Sequence, residues 1–491
     1  MAHHLRTRPL KLAAAATVAA LAAGTALAAG TASASAATVH HGAPAARAVP
    51  DTASGVRTLT GALPDGATYK IEVPARWNHT LFLYNHPFTA PGAPNPAWDA
   101  GDPVTGGWLL SHGYALAGSS YARTGWAVEQ ALPDQIATLD VFARRVGHPR
   151  QTIAWGHSLG GMITAGLIQD YPGRFSAALP MCGVLAGGVA TWNTALDAGF
   201  VIKVLLAPSV QVVHIADSAA NLAVAERAAA IAQRSARGRA RLSLAAALAD
   251  LPGWFTPLSP EPARTDYAAQ EANQYLALSQ LEFRLTFDLR TELESRAGGN
   301  PSWNTGVDYA ADLARSADAT EVRALYRAAH LSLAADLGTL AGAGRIAADH
   351  RAVQYLTRNI TFTGQLGVPV LTMQTTGDPN VVPENDQAYR GAVARAGDAA
   401  LLRETFIQRA GHCAFTPAET IAAVKVLLHR LRSGRWDAAA LTPGALNAGA
   451  AALGPAYNAV NPDGTKLVPV PPAFVRYQPA RFPRPYSRPA R

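Results

Sequence analysis

Short apolar runs separated by polar turns open the chain, and the period of the pattern then changes at regular points. From Val56 the runs VRTLTGAL, ATYKIEVP and HTLFLYN are divided by Pro, Asp-Gly and Asn, which predicts an opening meander of strands. A Pro- and Gly-rich loop over residues 87–107 leads to another strand, YALAGSSY. The segment AVEQALPDQIATLDVFARRVG then carries its apolar residues at helical spacing and stops at Gly147. QTIAWG reads as a strand, GMITAGLIQDYP as a helix and FSAALPMC as a strand. Strands and helices alternating at this rhythm predict a mostly parallel sheet with crossover helices.

The rhythm stops at residues 184–366. Long Ala/Leu/Arg patterns of helical period take over: ADSAANLAVAERAAAIAQRSA, YAAQEANQYLALSQLEFRLTFDLRTELE and TEVRALYRAAHLSLAADLG. The sheet pattern then resumes with strand VPVLTMQTTGD, helix ENDQAYRGAVARAG, strand LLRETFIQRAG and helix PAETIAAVKVLLHRLRSG. A helical cap over 184–366 therefore interrupts an α/β core of residues 56–183 and 367–432. No internal repeat is present.

Composition agrees with a folded chain: 49% of the 491 residues are hydrophobic and only 15% are charged, enough for a large core. The N-terminus is a separate matter. Arg6, Arg8 and Lys11 precede the apolar run Leu12–Gly30, and TASASAAT follows. This is the grammar of a secretory signal peptide cleaved near Ala34 or Ala36, so residues 1–36 are read as a leader, residues 37–55 as a loose linker and the protein as secreted. The alanine-dominated run with its cleavage site argues against a membrane anchor, and no later stretch is long and apolar enough to span a bilayer.

Removing the leader takes three positive charges and no acid, so the formal +8 falls to +5. Much of the remaining excess lies in PPAFVRYQPARFPRPYSRPAR, with five arginines and no acid. Its prolines and aromatics suit an extended strap, so residues 433–491 are expected to pack on the core. No nucleic-acid motif accompanies the charge. Only two cysteines occur, Cys182 and Cys413, and in an exported protein a lone pair is expected to be bridged.

One constellation carries chemistry. GHSLGG at 156–161 sits where a strand turns sharply into a helix, the context that makes Ser158 a candidate nucleophile. TGDPNVVP places Asp378 directly after a later strand, and GHC places His412 directly after the next. All three lie at the carboxy ends of strands, where α/β sheets assemble their sites. A serine nucleophile needs a base to take its proton and an acid to orient that base, so Ser158, His412 and Asp378 form a complete set. Glu384 and Asp386 fit better as the opening of the next helix. There is no H-E-x-x-H and no clustered Cys/His set, so neither a metal nor another cofactor is required.

On these motifs the chain resembles the α/β-hydrolase superfamily, as a secreted member with a large helical cap. The resemblance implies an oxyanion hole made by the Leu159 N–H and a second donor from the loop after an early strand. In LFLYNHPFTAPG, Pro87 stands where a glycine is expected. Proline has no N–H, which makes Phe88 the second donor, with His86 or Asn85 as alternatives. Cys182 and Cys413 both fall near the catalytic edge. A bridge at a comparable place marks the tannase and feruloyl esterase group, but there a Cys precedes the serine, whereas here His157 does.

The expected activity is cleavage of carboxylic esters, small or polymeric, through an acyl-enzyme. The cap, with Trp192, Trp254, Phe255, Tyr275, Phe283, Phe287 and Trp303, is expected to roof Ser158 and favour apolar or aryl groups, although aromatics at helical spacing are more often cap core. The alternative is an aminopeptidase-like enzyme whose cap acids (Glu271, Glu282, Asp288, Glu292 and Glu294) hold a substrate ammonium. A binding protein on a hydrolase scaffold is the third reading.

Overall fold

The computed structural model describes residues 48–51, 55–461 and 466–487. The expected leader, residues 1–36, and most of the linker lie outside them. The core is a ten-stranded sheet. Its first strands are β1 (Ala48–Asp51), β2 (Val56–Ala62), β3 (Thr68–Pro74), β4 (Thr80–Asn85) and β5 (Ala115–Ser119). They are followed by β6 (Gln151–His157), β7 (Ala177–Met181), β8 (Val370–Gly377) and β9 (Leu402–Ala410). Two short strands, β10 (Ala459–Val460) and β11 (Val468–Pro469), pair only with each other, and β12 (Phe474–Val475) returns to the main sheet.

The order is β1-β2-β3-β5-β4-β6-β7-β8-β9-β12. From β5 to β9 every pairing is parallel, while β1, β2, β3 and β12 are antiparallel to their neighbours. This is the α/β-hydrolase arrangement. Residues 48–51, read from the sequence as linker, pair instead with the edge strand β2.

The central strands are continuous apolar runs because both faces are covered. Every residue of β4, β5 and β7 is buried. Leu81 and Leu83 of β4 point into one layer, with α2 (Val128–Arg145) and α3 (Leu159–Asp170). Phe82 and Tyr84 point into the other, with α1 (Pro103–Ser111) and α14 (Pro417–Ser433). The α1 helix lies in part of the segment read as loop; Asp102 caps it by accepting from the Thr105 N–H at 2.7 Å, and Pro103 opens it.

Between β7 and β8 the chain is helical: α4 (Gly188–Leu205), α5 (Ser218–Ala232), α6 (Ala236–Leu248), α7 (Tyr267–Ala277) and α8 (Arg290–Ala297). Then come α9 (Tyr309–Arg315), α10 (Ala319–Ala328), α11 (Leu333–Gly342) and α12 (His350–Arg358). α7 and α8 form one run joined through π-helical turns at Leu278–Glu282 and Leu285–Leu289. The expected single run over TEVRALYRAAHLSLAADLG breaks at His330, whose φ is 50°. These helices bury a cluster of their own, centred on Phe200, Leu244, Phe283, Phe287 and Tyr326. The described residues nevertheless form one compact unit.

Beyond β8 follow α13 (Glu384–Ala396), β9, α14 and α15 (Pro443–Ala451). The basic tail then crosses the body. Phe474 and Val475 pair with Ile407 and Phe406 of β9, Phe482 is buried, and Arg484 reaches the buried Asp197 of α4 at 2.7 Å. Among the described residues no helix is long and apolar enough to cross a membrane.

Candidate active site

The Ser158 turn is made possible by its neighbours. Ser158 has φ 58° and ψ −123°, a conformation rare outside glycine and held here by the strand before it and the helix after it. Its N–H donates to Met181 O at 3.0 Å, and its carbonyl accepts from Gly161 N at 2.9 Å. Gly160 is needed for proximity: a Cβ there would meet Asn85 O at 2.0 Å, so the first turn of α3 rests directly on the end of β4.

The three residues predicted from strand ends come together. His412 Nε2 lies 2.8 Å from Ser158 Oγ, and His412 Nδ1 lies 2.8 Å from Asp378 Oδ2 and 3.0 Å from Oδ1. Asp378 is fully buried, and its Oδ1 also accepts from the Asn380 and Val381 N–H groups, each at 2.9 Å. Those bonds fix the carboxylate before it meets the ring. Cys182 and Cys413 are joined, with Cα atoms 5.4 Å apart, and Cys413 Sγ is 3.4 Å from His412 Nε2. The bridge ties the end of β7 to the loop carrying His412.

That loop has a second support, invisible in the sequence. Arg409 and Glu419 bury a bidentate ion pair, 2.8 and 2.9 Å, with side chains 4% and 0% exposed. Glu419 also closes the capping box of α14 by accepting from Thr416 N, while Thr416 Oγ1 accepts from Glu419 N. The turn bearing His412 is thus clamped on both sides.

The side chains of the two alternative residues, Asn85 and His86, are committed elsewhere. Asn85 Nδ2 donates to Thr164 Oγ1 at 2.7 Å and to Trp155 O at 3.2 Å. The ring nitrogens of His86 lie against the carbonyls of Pro87 and Ser120, and its ring stacks on Tyr121. The Phe88 and Leu159 N–H groups, by contrast, have no acceptor among the described residues.

A cavity of about 400 Å³ opens over Ser158 and His412. Its walls are Tyr84, Phe88, Trp98 and Phe415, with His157, Gly101, Asp102, Asn380 and Thr420 between them. Trp98 is 41% exposed, a large aromatic surface left at the rim. The expected aromatic roof from the helical segment does not line this cavity. Trp192, Phe283 and Phe287 are buried instead, because helices of that length need a core of their own. Trp303 packs on Tyr486 of the tail.

Nor do the acids considered for holding an ammonium reach the cavity. Glu271 bonds Gln233, Glu282 bonds Thr286, Glu292 bonds Arg296 and the Trp126 N–H, Glu294 accepts from His214 N, and Asp288 pairs with Arg284. The residues the sequence did not flag are Tyr84, Trp98, Asp102 and His157. Tyr84, Trp98 and Asp102 sit at loop and strand positions that carry no motif, and His157, although inside GHSLGG, stands out there only for preceding the serine. Trp98 and Asp102 both lie just before the Pro103 helix start, a cap signal that could have placed them.

No family model matches the chain. It is 29% identical over 408 residues to the o-phthalyl amidase of Xanthobacter agilis, covering 77% of this chain and 87% of that protein. Among solved structures, an esterase from Aspergillus oryzae superposes with a TM-score of 0.42 at 12% identity, covering 77% of this chain and 80% of that one. Feruloyl esterase B of the same fungus gives 0.39 at 12%, with coverages of 78% and 82%.

Proposed function

We propose that the protein is a serine hydrolase that cleaves carboxylic esters or amides whose acyl part carries an aryl group. The observation that carries this reading is the run of contacts from Ser158 Oγ through His412 to Asp378 at the floor of a cavity walled by aromatic side chains. Ser158 attacks the carbonyl carbon while His412 Nε2 takes its proton, and Asp378 stabilises the imidazolium that results. The oxyanion is received by the Leu159 and Phe88 N–H groups, which have no acceptor among the described residues. His412 then protonates the leaving alcohol or amine, the C–O or C–N bond breaks, and an acyl-Ser158 ester remains. Water, deprotonated by His412, releases the acid.

The o-phthalyl amidase likeness supports the amide option and an aromatic acyl group, beside the ester reading. An aminopeptidase has less support, since Glu271, Glu282, Asp288, Glu292 and Glu294, the acids expected to hold its ammonium, do not line the cavity. Secretion stays part of the proposal, on the strength of the N-terminal pattern.

The test is labelling by a fluorophosphonate, with turnover of 4-nitrophenyl benzoate, benzoyl anilide and aminoacyl anilides. We expect labelling and benzoate turnover, both lost in Ser158→Ala. Labelling that persists in Ser158→Ala refutes the nucleophile, and anilide cleavage confined to aminoacyl substrates supports the peptidase.

A further inference from the structure

His157, directly before the proposed nucleophile, is a histidine the mechanism does not use. Its ring lines the same cavity. Nδ1 lies 3.0 Å from Tyr84 Oη, and no other partner of that hydroxyl occurs among the described residues. Tyr84 is buried in the sheet, and burial pushes its phenol well above the ordinary value, so it keeps its proton. The buried O–H must donate, and Nδ1 is the acceptor within reach. The proton of the neutral ring is thereby fixed on Nε2.

The ring is neutral for a clear reason. Burial, and then the nearby His412, push His157 down to about 4. Nε2 bonds no described residue, yet it is not among the polar atoms sealed from solvent without a partner. The solvent it meets is the cavity. Gly101 packs against the same edge of the ring that meets Tyr84: a Cβ there would lie 2.5 Å from His157 Cε1, 2.9 Å from His157 Nδ1 and 3.1 Å from Tyr84 Oη. Glycine at 101 therefore lets the Tyr84–His157 pair sit side by side at the wall.

The charge of the cavity matters as much. Among the described residues no lysine or arginine lines it, and the carboxylate of Asp102 does. An anionic substituent entering there would lose water and gain no cation, a costly exchange.

We propose that His157 is a specificity residue: its Nε2–H donates to a hydrogen-bond acceptor on an uncharged aryl acyl group, with Tyr84 as the positioning residue that fixes the tautomer. This subsite takes alkoxy-, hydroxy- or carbonyl-substituted aromatic acyl groups and rejects carboxylated ones, and in this it departs from the amidase likeness, since a phthalyl group carries a carboxyl. The inference rests on Ser158 being the nucleophile of this cavity.

The experiment compares 4-nitrophenyl esters of methoxy-, ethyl- and carboxybenzoic acids, substituted at each ring position in turn. Methoxy and ethyl are near in shape, and only methoxy accepts a hydrogen bond. A neutral hydrogen bond predicts that kcat/KM favours methoxy over ethyl by about five- to tenfold at one ring position, with carboxy slowest. His157→Leu should bring the methoxy/ethyl ratio to near one while fluorophosphonate labelling of Ser158 persists. Tyr84→Phe should lower the ratio partway, since it releases Nδ1 without removing the ring.

A wild-type ratio near one at every position, or carboxy esters cleaved fastest, overturns the inference. So does an unchanged ratio in whichever variant still labels. Should neither variant label, the wild-type panel alone decides. A wild type that neither labels nor cleaves any ester overturns the proposed function itself. A wild type that labels but ignores the substituents overturns only the role of His157.

Discussion

Replacing Glu419 by alanine should be among the most damaging single changes outside the reacting groups. Arg409 would remain almost wholly buried, keeping only the carbonyls of Ala414 at 2.7 Å and Pro471 at 3.1 Å. The N–H groups of Thr416 and Ala473, which now donate to Glu419 at 2.8 and 2.9 Å, would lose their acceptor as well. Breaking a buried pair by removing one partner costs about 3–5 kcal/mol. The two orphaned donors push the figure toward the upper end, against a total stability of about 5–15 kcal/mol. The pair flanks the His412 turn, so the loss should be felt in chemistry too. Equilibrium urea unfolding followed by tryptophan fluorescence reads the first effect, and the rate of fluorophosphonate labelling of Ser158 reads the second. The double variant Arg409→Met with Glu419→Met should lose less than Glu419→Ala, because it leaves no uncompensated charge. A loss below about 1 kcal/mol for Glu419→Ala, the scale of an exposed pair, would refute the reasoning.

Gly160→Ala should abolish labelling or yield insoluble protein, because its methyl group meets the rigid Asn85 carbonyl rather than a movable side chain; normal labelling would mean the turn has slack. Burial, and then the charge of Glu404, push Asp386 up to about 8, so the folded chain holds a proton there that the unfolded chain releases from about pH 4. Its contribution is present at low pH and lost as pH rises toward 8; Asp386→Asn should therefore be more stable than wild type above pH 8, by urea midpoint, and lose that advantage toward pH 4. Arg484→Ala leaves Asp197 with Tyr309 as its only bonded side chain among the described residues. Burial already raises Asp197 to about 6 with the arginine present, so the variant's deficit in urea midpoint should be large at neutral pH and shrink as pH falls below 6.

The fold was legible because its signals are local. Strands β4, β6 and β7 are short apolar runs with clear stops, and the glycines around Ser158 mark a turn that few other residues could make. Asp378 and His412 could be read as partners since each directly follows a buried strand. What stayed hidden depends on contacts remote in the chain. Nothing near Arg409 announces that it meets Glu419, and nothing near His157 announces Tyr84. The aromatics between β7 and β8 drew attention to the wrong wall: an apolar helical residue looks alike whether it lines a cavity or fills a core, and here the core took Phe283 and Phe287. Asp102 and Trp98 lie in a Pro- and Gly-rich stretch whose composition masks the helix start at Pro103. The strand at 48–51 was hidden by its composition, since Ala, Val, Pro and Asp read as linker.

The bridge between Cys182 and Cys413 has a topological meaning as well as a local one. Its partners are separated by 231 residues, and every helix from α4 to α13 lies between them, with β8 and β9. The oxidised chain is therefore a covalent ring with two tails. A protease that cuts once anywhere in the ring produces no free fragment; the pieces part only when the bridge is reduced. Unfolding has the same limit. However far the ring opens, the end of β7 and the turn holding His412 remain next to each other, so reassembling the site does not require a search across the whole ring.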